Sequence, residues 1–489
     1  MAILSVDKNQ IQKQSTMATM TTASASSFLK EEMASTWQWR IDTDPELAAS
    51  LGLLSKRRSK HALDPRSPAS FDRRMEWMQR ALQRMEEGLT PEQASSLSEE
   101  DKLSHLLYMG QLTDYIKYTT RHRAYLCCIN RLEGPQTDLA LYARYLPLKT
   151  TEDREYYRDF LEAVPVQLSE VTDLLRMGLK EGRTPPMVSL DGVVDMIRGM
   201  IQGKMRSFSG PISGDSIFSL PEEQALKDEC MELVNGVSEA FTNFADFLET
   251  DYVPNLRSDI SATSGYPDGE TYYADCLMFH TTTAMSPTEI HQLGLDEVAR
   301  MRKEMNEIAT QAGYDGKLDE YMEYLRTNKE YEPESGAALC AHYRDITGRI
   351  SQALLKLFHL KTLPRSPFSI VETPAAHASM APAAYYLAGS ADPVNPRPGM
   401  FYVNTSELST RRTYECEALA LHEAIPGHHT QGAIQGESDG LPDFRRYAED
   451  RRYFEAPCRF PFYTGYIEGW GLHSGEYMAF RNPSLSCLC

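Results

Sequence analysis

The chain has 489 residues, and its 50 basic and 69 acidic side chains give a formal net charge of −19. Apolar residues make up 42% and charged residues 24%, a globular composition that excludes a mainly disordered chain and a small disulfide-stapled one. The acid excess argues against nucleic-acid binding, and no stretch reaches the roughly 18 to 20 apolar residues that a membrane span requires. We therefore expect neither nucleic acid nor membrane as a partner.

The cysteines and the N-terminus indicate the compartment. Nine cysteines, an odd number, are scattered without Cys-x-x-Cys spacing, which favours free thiols in a reducing compartment. The first residues lack the basic and apolar regions of a secretory signal peptide, so we predict a cytoplasmic protein. Residues 15–27 are rich in Ser, Thr, Ala and Met, which predicts a disordered N-terminal arm over residues 1–40.

Helical periodicity dominates the chain after this arm. Apolar residues recur at helical spacing over residues 71–85, again after an N-cap at Ser98, and from near Thr151 onward. The clearest helix begins at Ser286-Pro287-Thr288-Glu289, which supplies an N-cap, a proline at N1 and a glutamate at N3. We expect the apolar stripe of this helix to lie in the core, at Ile290, Leu293, Val298, Met301, Met305 and Ile308.

Strand signals are few and lie close together. Residues 368–371 and 400–403 are predicted strands, and a loop rich in Pro, Ala and Gly is predicted between them over residues 374–398. No internal repeat or clear linker interrupts the helical pattern. The sequence therefore predicts a mainly α fold with a small β-sheet near residues 365–405.

The residues that carry chemistry lie within residues 415–431. Three of the twelve histidines, His422, His428 and His429, fall within eight residues and beside Glu423. A His-Glu pair at the end of an apolar helix begins the HExxH motif of zinc peptidases. There two histidines one turn apart bind the metal, and the glutamate deprotonates a water. In this chain a proline stands where the second histidine belongs.

Pro426 and Gly427 change the spacing between the histidines. On an undistorted helix His428 lies roughly 9 Å and His429 roughly 10.5 Å along the axis from His422. Two nitrogens that share a zinc lie within about 3–3.5 Å of one another, so a metal site requires the helix to break. Pro426 removes a helical amide and Gly427 permits an unusual backbone angle, so a two-residue bulge can restore the one-turn spacing.

A third ligand is available within residues 466–477. Glu468 and Glu476 lie two turns apart on one helix face, with His473 between them. A carboxylate from a second helix completes the two-His-one-Glu set of hydrolytic zinc, and we choose Glu468. Glu476 or His473 is then a partner that orients a ligand, and the glycines beside Trp470 indicate close helix packing.

Other chemistries lack their signatures. A carboxylate-bridged di-iron bundle needs Glu-x-x-His pairs on two helices, and the glutamates near these histidines have no histidine three residues on. We find no Gly-x-Ser-x-Gly, no recognisable cysteine nucleophile and no glycine-rich phosphate loop. The motifs therefore favour Zn²⁺ as the cofactor and a water as the nucleophile.

The motifs and their order along the chain resemble those of a family of predicted zinc peptidases, the domain-of-unknown-function family 885. The resemblance rests on His-Glu-x-x-Pro-Gly-His-His at 422–429 and on Glu-Gly-Trp at 468–470. It extends from about residue 40 to about residue 480, and the further matching stretches are residues 279–283, 286–294, 381–386 and 397–405. The resemblance implies a mainly α, gluzincin-like metallopeptidase fold with the small sheet near the active-site helix.

The resemblance also implies a set of functional residues. It places zinc on His422, His428 and Glu468 and makes Glu423 the general base. It favours His428 over His429 as the second ligand, because Gly427-His428 resembles the Gly-His that ends the motif in related helical metallopeptidases. The strand at residues 401–404 is by analogy the edge that binds an extended peptide. Candidate substrate contacts are His429, Tyr402 and Arg397.

The C-terminus departs from the family pattern. Members of the family continue beyond the Glu-Gly-Trp helix, whereas residues 481–489 form a divergent tail, so we expect a helical domain over residues 41–480 that is incomplete at its C-terminus. The predicted function is zinc-dependent hydrolysis of a peptide substrate. The alternatives are an inactive truncated isoform that retains metal or partner binding, and a zinc hydrolase of a non-peptide amide. The oligomeric state stays open.

Overall fold

In a computed structural model, the chain forms helices and one small sheet. The structure describes residues 22–54, 62–214, 223–374, 378, 381–390, 397–447 and 463–481. The mainly α fold that the sequence predicts is confirmed. In chain order the described α-helices are α1 Thr22–Thr43, α2 Pro45–Ser50, α3 Pro68–Gly88, α4 Pro91–Ser96, α5 Glu99–Lys117, α6 Pro135–Tyr145, α7 Thr151–Glu181, α8 Val193–Gln202, α9 Arg206–Ser209, α10 Gln224–Phe247, α11 Ala262–Gly265, α12 Gly269–Thr281, α13 Pro287–Gln311, α14 Leu318–Thr327, α15 Gly336–Leu354, α16 Cys416–Glu423, α17 His428–Glu437, α18 Asp443–Arg446 and α19 Thr464–Arg481.

Side-chain caps lie at the N-termini of the helices that the sequence predicts most clearly. At the start of α13, Ser286 Oγ accepts the N–H of Glu289, and the Glu289 carboxylate accepts the N–H of Ser286. Thr150 and Asp153 form the same reciprocal pair before α7, and Ser98 caps α5. Each cap satisfies backbone donors that have no partner inside the helix, so these helix starts are confirmed.

The expected N-terminal arm is a helix from Thr22 onward, so the prediction of disorder over residues 1–40 is wrong for its described part. Helix α1 packs against α3 and α5. Every fourth residue from Ala25 to Ile41 is a buried apolar one: Ala25, Leu29, Met33, Trp37 and Ile41. This spacing is a helical stripe that the Ser- and Thr-rich composition obscures. Residues 1–21 lie outside the described residues.

Two hydrophobic clusters of buried side chains organise the described chain. The larger one is built mainly from α1 to α12, and Tyr157, Phe160 and Phe241 are fully buried in it. The smaller one joins α15, the sheet and α16, with Tyr343 against Phe401 at a ring-centroid distance of 5.1 Å. Because α16 belongs to this smaller cluster, packing against α15 and the sheet fixes the position of its last turn.

The sheet has three strands in the order β1-β3-β2, with β1 Phe368–Glu372, β2 Ala384–Leu387 and β3 Gly399–Val403. Strand β3 pairs in parallel with β1 and antiparallel with β2. The two predicted strands are confirmed, but β2 lies inside the predicted loop at residues 374–398, where flanking Pro and Gly hide a short Ala-Tyr-Tyr-Leu run. Because β3 is the middle strand, the expectation that residues 401–404 form a peptide-binding edge is wrong.

Helix α13 is confirmed, but its apolar stripe lies outside the core. Five stripe residues are 37% to 51% exposed: Leu293, Val298, Met301, Met305 and Ile308. Ala309 is the one residue of α13 that the structure buries. The expectation that these residues lie in the core is therefore wrong. Helical spacing determines which face is apolar, whereas burial of that face depends on a partner surface that spacing alone does not reveal.

An ionic network joins α12 to α5. The ring of His122 is buried, and its two nitrogens lie 2.6 Å from an Asp268 oxygen and 2.8 Å from an Asp275 oxygen. Lys117 Nζ donates to Asp275 at 3.0 Å, and the carboxyl of Asp114 lies close to this network. The carboxyl end of α12 then reaches the start of α19, where His280 Nδ1 lies 3.1 Å from Thr464 Oγ1.

Asp114 gives the fold a predicted pH dependence. Burial raises the pKa of this carboxyl from 3.8 to about 6, Lys117 opposes the rise and Asp275 adds to it. Since the folded-state pKa is the higher one, ionisation favours the unfolded chain, and this destabilisation grows as the pH rises from about 4 to about 6. We expect Asp114→Asn to increase the free energy of unfolding by about 1–3 kcal/mol at pH 7.5 and to change it little at pH 4.

Thermal or urea unfolding at the two pH values measures this difference. The matched control is Asp173→Asn, because Asp173 is exposed and pairs with Arg176 one helical turn away. An exposed pair of this kind contributes about 0.5 kcal/mol or less, so the control should change stability little at either pH. An Asp114→Asn effect that is equal at pH 4 and pH 7.5 would contradict the assigned pKa.

None of the helices in the described part of the chain combines the length and the apolar composition that crossing a bilayer demands.

Candidate metal centre

The helix that carries the His-Glu pair breaks where the sequence predicts. Helix α16 ends at Glu423 and α17 begins at His428, so residues 424–427 form the turn between them. The N–H of His429 returns to the carbonyl of Ala424 at 3.1 Å, which closes the turn and restarts the helix. The predicted helix break between the histidines is confirmed.

Gly427 allows this turn to fold back on the end of α16. A Cβ at Gly427 would lie 1.8 Å from the carbonyl oxygen of His422 and 2.5 Å from that of Leu421. Both contacts are with backbone atoms, so no side-chain movement relieves them. Gly471 on α19 has a related role, because a Cβ there would lie 2.6 Å from Cε1 of the His422 ring. The two glycines therefore permit the close approaches around His422.

Three side chains converge across the break. Nε2 of His422 lies 3.1 Å from one carboxylate oxygen of Glu468, and Nε2 of His428 lies 3.7 Å from the other. The two imidazole rings are nearly perpendicular, with centroids 4.5 Å apart. The structure thus brings together the three residues that the sequence analysis proposes as metal ligands, one each from α16, α17 and α19.

The geometry of this cluster fits a zinc ion. One ligand atom from each of His422, His428 and Glu468 lies within 4.8 Å of the other two. Ligands of a tetrahedral zinc at about 2.0–2.1 Å lie about 3–3.5 Å apart, so small side-chain adjustments bring these atoms to that spacing. Nδ1 of His428 is buried and has no hydrogen-bond partner among the described residues. Two imidazoles and one carboxylate are the donor set of hydrolytic zinc sites.

The charges of the three side chains are linked. The hydrogen bond to Glu468 raises the pKa of His422, and burial lowers the pKa of His428. The hydrogen bond from His422 also lowers the pKa of Glu468, which keeps this carboxylate ionised. A ligand must be deprotonated to bind a metal, so the lowered pKa values of His428 and Glu468 favour the binding form, whereas the raised pKa of His422 opposes it.

Glu423 lies beside the cluster and is half-buried, like the three converging side chains. Burial raises the pKa of its carboxyl to about 7, with the charge of His422 acting against the rise and the charge of Glu468 adding to it. The backbone N–H of Tyr386, on strand β2, donates to this carboxylate. A carboxyl with a pKa near neutrality is suited to accept and return a proton at neutral pH.

His429 belongs to the packing around the site. It is 3% exposed, its Nδ1 lies 3.0 Å from the Tyr386 hydroxyl, and its ring lies 4.7 Å from that of Phe368. Burial lowers the pKa of His429 to about 4 despite the opposing effect of the Ser366 backbone. The side chain is therefore neutral and turned to the sheet, whereas His428 faces Glu468. Proximity favours His428 as the second ligand.

Two of the candidate substrate contacts have other partners. Tyr402 on β3 stacks on Tyr385 at 4.8 Å, and alternation along β2 places this pair on the sheet face opposite Tyr386. The Arg397 guanidinium donates to the carbonyl of Ser50 at 2.6 Å and lies 4.6 Å from the Tyr145 ring centroid. The Arg397 contacts join the sheet region to the N-terminal helices, whereas the tyrosine stack lies within the sheet.

The two candidate orienting residues on α19 are both exposed. The ring of His473 lies 6.3 Å from that of Trp470, and Glu476 shows no hydrogen bond or ion pair with any described residue. Two residues near the site had no predicted role there, namely Tyr386, which contacts both Glu423 and His429, and Trp470, which contacts the turn between the histidines. Only contacts across the fold identify them.

A second group of carboxylates is balanced by arginines. Asp44, Glu46 and Asp64 present oxygens within 4.8 Å of one another. Arg66 donates to Glu46 at 2.9 Å, and Arg74 forms an ion pair with Asp64. These cations supply the positive charge that a metal would otherwise provide, so the cluster is explained by ion pairing.

Gly427→Ala is expected to destabilise the metal centre, because the steric clash of the new Cβ outweighs the gain in helix propensity. Its Cβ would collide with backbone atoms of α16, so we expect a loss of about 2–3 kcal/mol in the free energy of unfolding and weaker zinc binding. The matched control is Gly432→Ala in α17, which meets no atom within 4 Å and should be stabilising by about 0.5–1 kcal/mol. Thermal unfolding and zinc titration measure both effects. Equal behaviour of the two variants would contradict the close approach.

Comparison with known proteins shows the family to which the chain belongs and the solved structures that share its fold. The family model described as "Bacterial protein of unknown function (DUF885)" matches residues 45–483. A "putative lipoprotein" from Colwellia psychrerythraea has a similar crystal structure, with a TM-score of 0.78 and 22% identity over 94% of this chain and 78% of that one. A "putative lipoprotein of unknown function" from Shewanella oneidensis has a TM-score of 0.60 and 13% identity over 95% and 79%. At these identities the likeness shows the fold alone. No functionally curated protein matches the chain.

Proposed function

The chain belongs to the DUF885 family, and on that premise we propose that it is a zinc-dependent hydrolase of peptide bonds. The observation that carries the proposal is the convergence of His422, His428 and Glu468 on one point beside the half-buried carboxyl of Glu423. The family description names no function, so the proposal rests on the chemistry of this site. Two neutral imidazoles, one carboxylate and a separate carboxyl base form the minimal set for hydrolysis by an activated water.

Each residue has a distinct task in this proposal. Nε2 of His422, Nε2 of His428 and the carboxylate of Glu468 would hold the zinc, which when bound lowers the pKa of a water to about 7 and polarises a carbonyl. The Glu423 carboxylate accepts the proton of the attacking water and then delivers it to the nitrogen of the leaving amine. The Tyr386 N–H holds that carboxylate in place while it carries out both transfers.

The position of β2 supports a peptide as the substrate. Strand β2 is an outer strand of the sheet and lies beside Glu423, whose carboxylate accepts the N–H of Tyr386, so a peptide would bind to the remaining outward main-chain groups of β2. An outer strand offers main-chain donors and acceptors that bind an extended peptide, which a small non-peptide amide would use only in part. We therefore favour a peptide, held along β2, over a non-peptide amide.

Incubation of the zinc-loaded protein with a mixed peptide library, followed by mass spectrometry of new termini, tests this function. A parallel set of small non-peptide amides provides the comparison, and the metal-free protein provides the control. Zinc-dependent cleavage of peptides would support the proposal. Turnover of the non-peptide amides alone would favour the second hydrolase alternative, and bound zinc without any turnover would favour an inactive, metal-binding protein.

We also retain the prediction of a reducing compartment, because the cysteines of the described residues are free thiols: Cys127, Cys128, Cys230, Cys276, Cys340 and Cys416.

A further inference from the structure

We propose that Trp470 is a positioning residue for the metal centre, and that its indole N–H holds the turn between the two histidine ligands in the binding geometry. Nε1 of Trp470 donates to the carbonyl oxygen of Pro426 at 2.8 Å. Pro426 lies in the middle of the turn that joins α16 to α17. The inference rests on the proposed zinc-dependent function, because it assigns Trp470 to that same site.

The position of Trp470 on α19 links this bond to all three ligands. Glu468 lies two residues before Trp470 on the same helix, while His422 and His428 lie at the two ends of the turn that Trp470 contacts. A displacement of the turn would therefore change the distance between the two imidazoles, and a displacement of α19 would move the carboxylate away from both. One hydrogen bond thus couples the third ligand to the spacing of the first two.

The Pro426 carbonyl has one hydrogen-bond donor among the described residues. In the described part of the chain, no backbone N–H of a turn or loop donates to the Pro426 carbonyl. This oxygen therefore accepts its hydrogen bond from the indole N–H of Trp470. The neighbouring contacts of α19 reach α16 and α17 rather than the turn, and the Gln431 amide on α17 donates to the Tyr466 carbonyl at 3.4 Å. Gly471 packs on the His422 ring, and the Ser474 hydroxyl lies 3.4 Å from the Leu421 carbonyl.

The test compares zinc affinity in variants that differ by one donor. Trp470→Phe keeps an aromatic ring and removes the N–H. Loss of a group that orients metal ligands typically weakens metal binding by about 10–100-fold, and we expect a rise of that size in the zinc dissociation constant. The purified 489-residue chain is stripped of metal, and zinc is titrated in competition with a chelating fluorophore. His422→Ala serves as the variant that removes a ligand outright.

Two matched controls separate positioning from general packing. Trp77→Phe removes another buried indole N–H, one that has no hydrogen-bond partner among the described residues. Ser474→Ala removes a different contact between α19 and α16. Both should leave the zinc dissociation constant within about twofold of wild type. Thermal unfolding of each metal-free variant, with affinity referred to the folded fraction, shows whether Trp470→Phe acts on binding or only on stability.

The outcomes distinguish this inference from the proposed function. Weaker zinc binding by folded Trp470→Phe, with unchanged binding by both controls, would support the positioning role. Wild-type affinity in Trp470→Phe would overturn that role and leave the zinc hydrolase proposal standing. A lower melting temperature with unchanged affinity would likewise make Trp470 a packing residue. Failure of the wild-type protein to bind zinc would overturn both proposals together.

Discussion

Glu423→Gln is expected to remove hydrolysis while leaving zinc bound. The amide cannot accept a proton from water, and loss of a general base lowers the rate by about 10²–10⁴-fold. Glu423 is not one of the three converging ligands, so the zinc content of the variant should equal that of wild type. The substitution also removes a half-buried carboxyl whose pKa burial raises to about 7, so we expect no loss of stability. Peptide cleavage and metal content are measured on the same preparation.

The control for this variant is Glu415→Gln. Glu415 is exposed just before α16, two helical turns from Glu423, so the charge change is the same but lies away from the cluster. Activity within about twofold of wild type is expected for this control. If Glu423→Gln cleaves peptides at the wild-type rate, another residue is the base and the assigned mechanism is wrong.

His428→Ala and His429→Ala should differ strongly in zinc binding, although the two residues are adjacent. Loss of His428 removes one of the three ligands, so we expect the dissociation constant for zinc to rise by more than about 10³-fold, beyond the 10–100-fold typical of supporting residues. His429 contacts the Tyr386 hydroxyl and Phe368, so His429→Ala should mainly lower stability, by about 2–3 kcal/mol, through an unpartnered hydroxyl and a cavity.

Zinc titration of the folded fraction separates these effects. His429→Gln is the conservative partner variant, because an amide can still bond to the Tyr386 hydroxyl. The reverse order, with tight binding in His428→Ala and lost binding in His429→Ala, would exchange the roles of the two histidines. Equal losses in both variants would show that the start of α17 acts as one structural unit.

The sequence specified the local features of the site because they depend on short-range chemistry. Proline and glycine between the histidines required a helix break, and the break lies at residues 424–427. Capping residues fixed the starts of α5, α7 and α13 in the same way. The third ligand was identified by residue type on a second helix, and Glu468 is the carboxylate that meets both imidazoles.

Features that depend on distant partners in the fold could not be predicted from the sequence. The stripe of α13 has helical spacing, yet Val298 and Met301 remain about half exposed, because spacing does not show what covers a face. Strand β2 is four residues long and lies between Pro- and Gly-rich segments, so its pairing with β3 was not visible. The contacts of Tyr386 and Trp470 cross the fold, joining residues more than 40 positions apart.

Composition is a poor guide to the structure of the N-terminal segment. The Ser- and Thr-rich segment indicated disorder, whereas Leu29, Met33 and Trp37 form the buried stripe of α1. Tertiary packing against α3 and α5 stabilises a helix that weak local propensity alone would not. The buried hydrogen bond of 2.6 Å between Thr36 and Tyr108 adds a polar contact to that packing.

The most direct test of the central claim is the zinc content of the purified chain, measured by elemental mass spectrometry beside His422→Ala. His422 donates one of the three ligand atoms, and its replacement leaves only His428 and Glu468. The account predicts about one zinc per wild-type chain and almost none in the variant, with both proteins folded by circular dichroism. A folded wild-type chain that holds no zinc when supplied with it, or a His422→Ala variant that holds as much as wild type, would contradict the assignment of this metal centre.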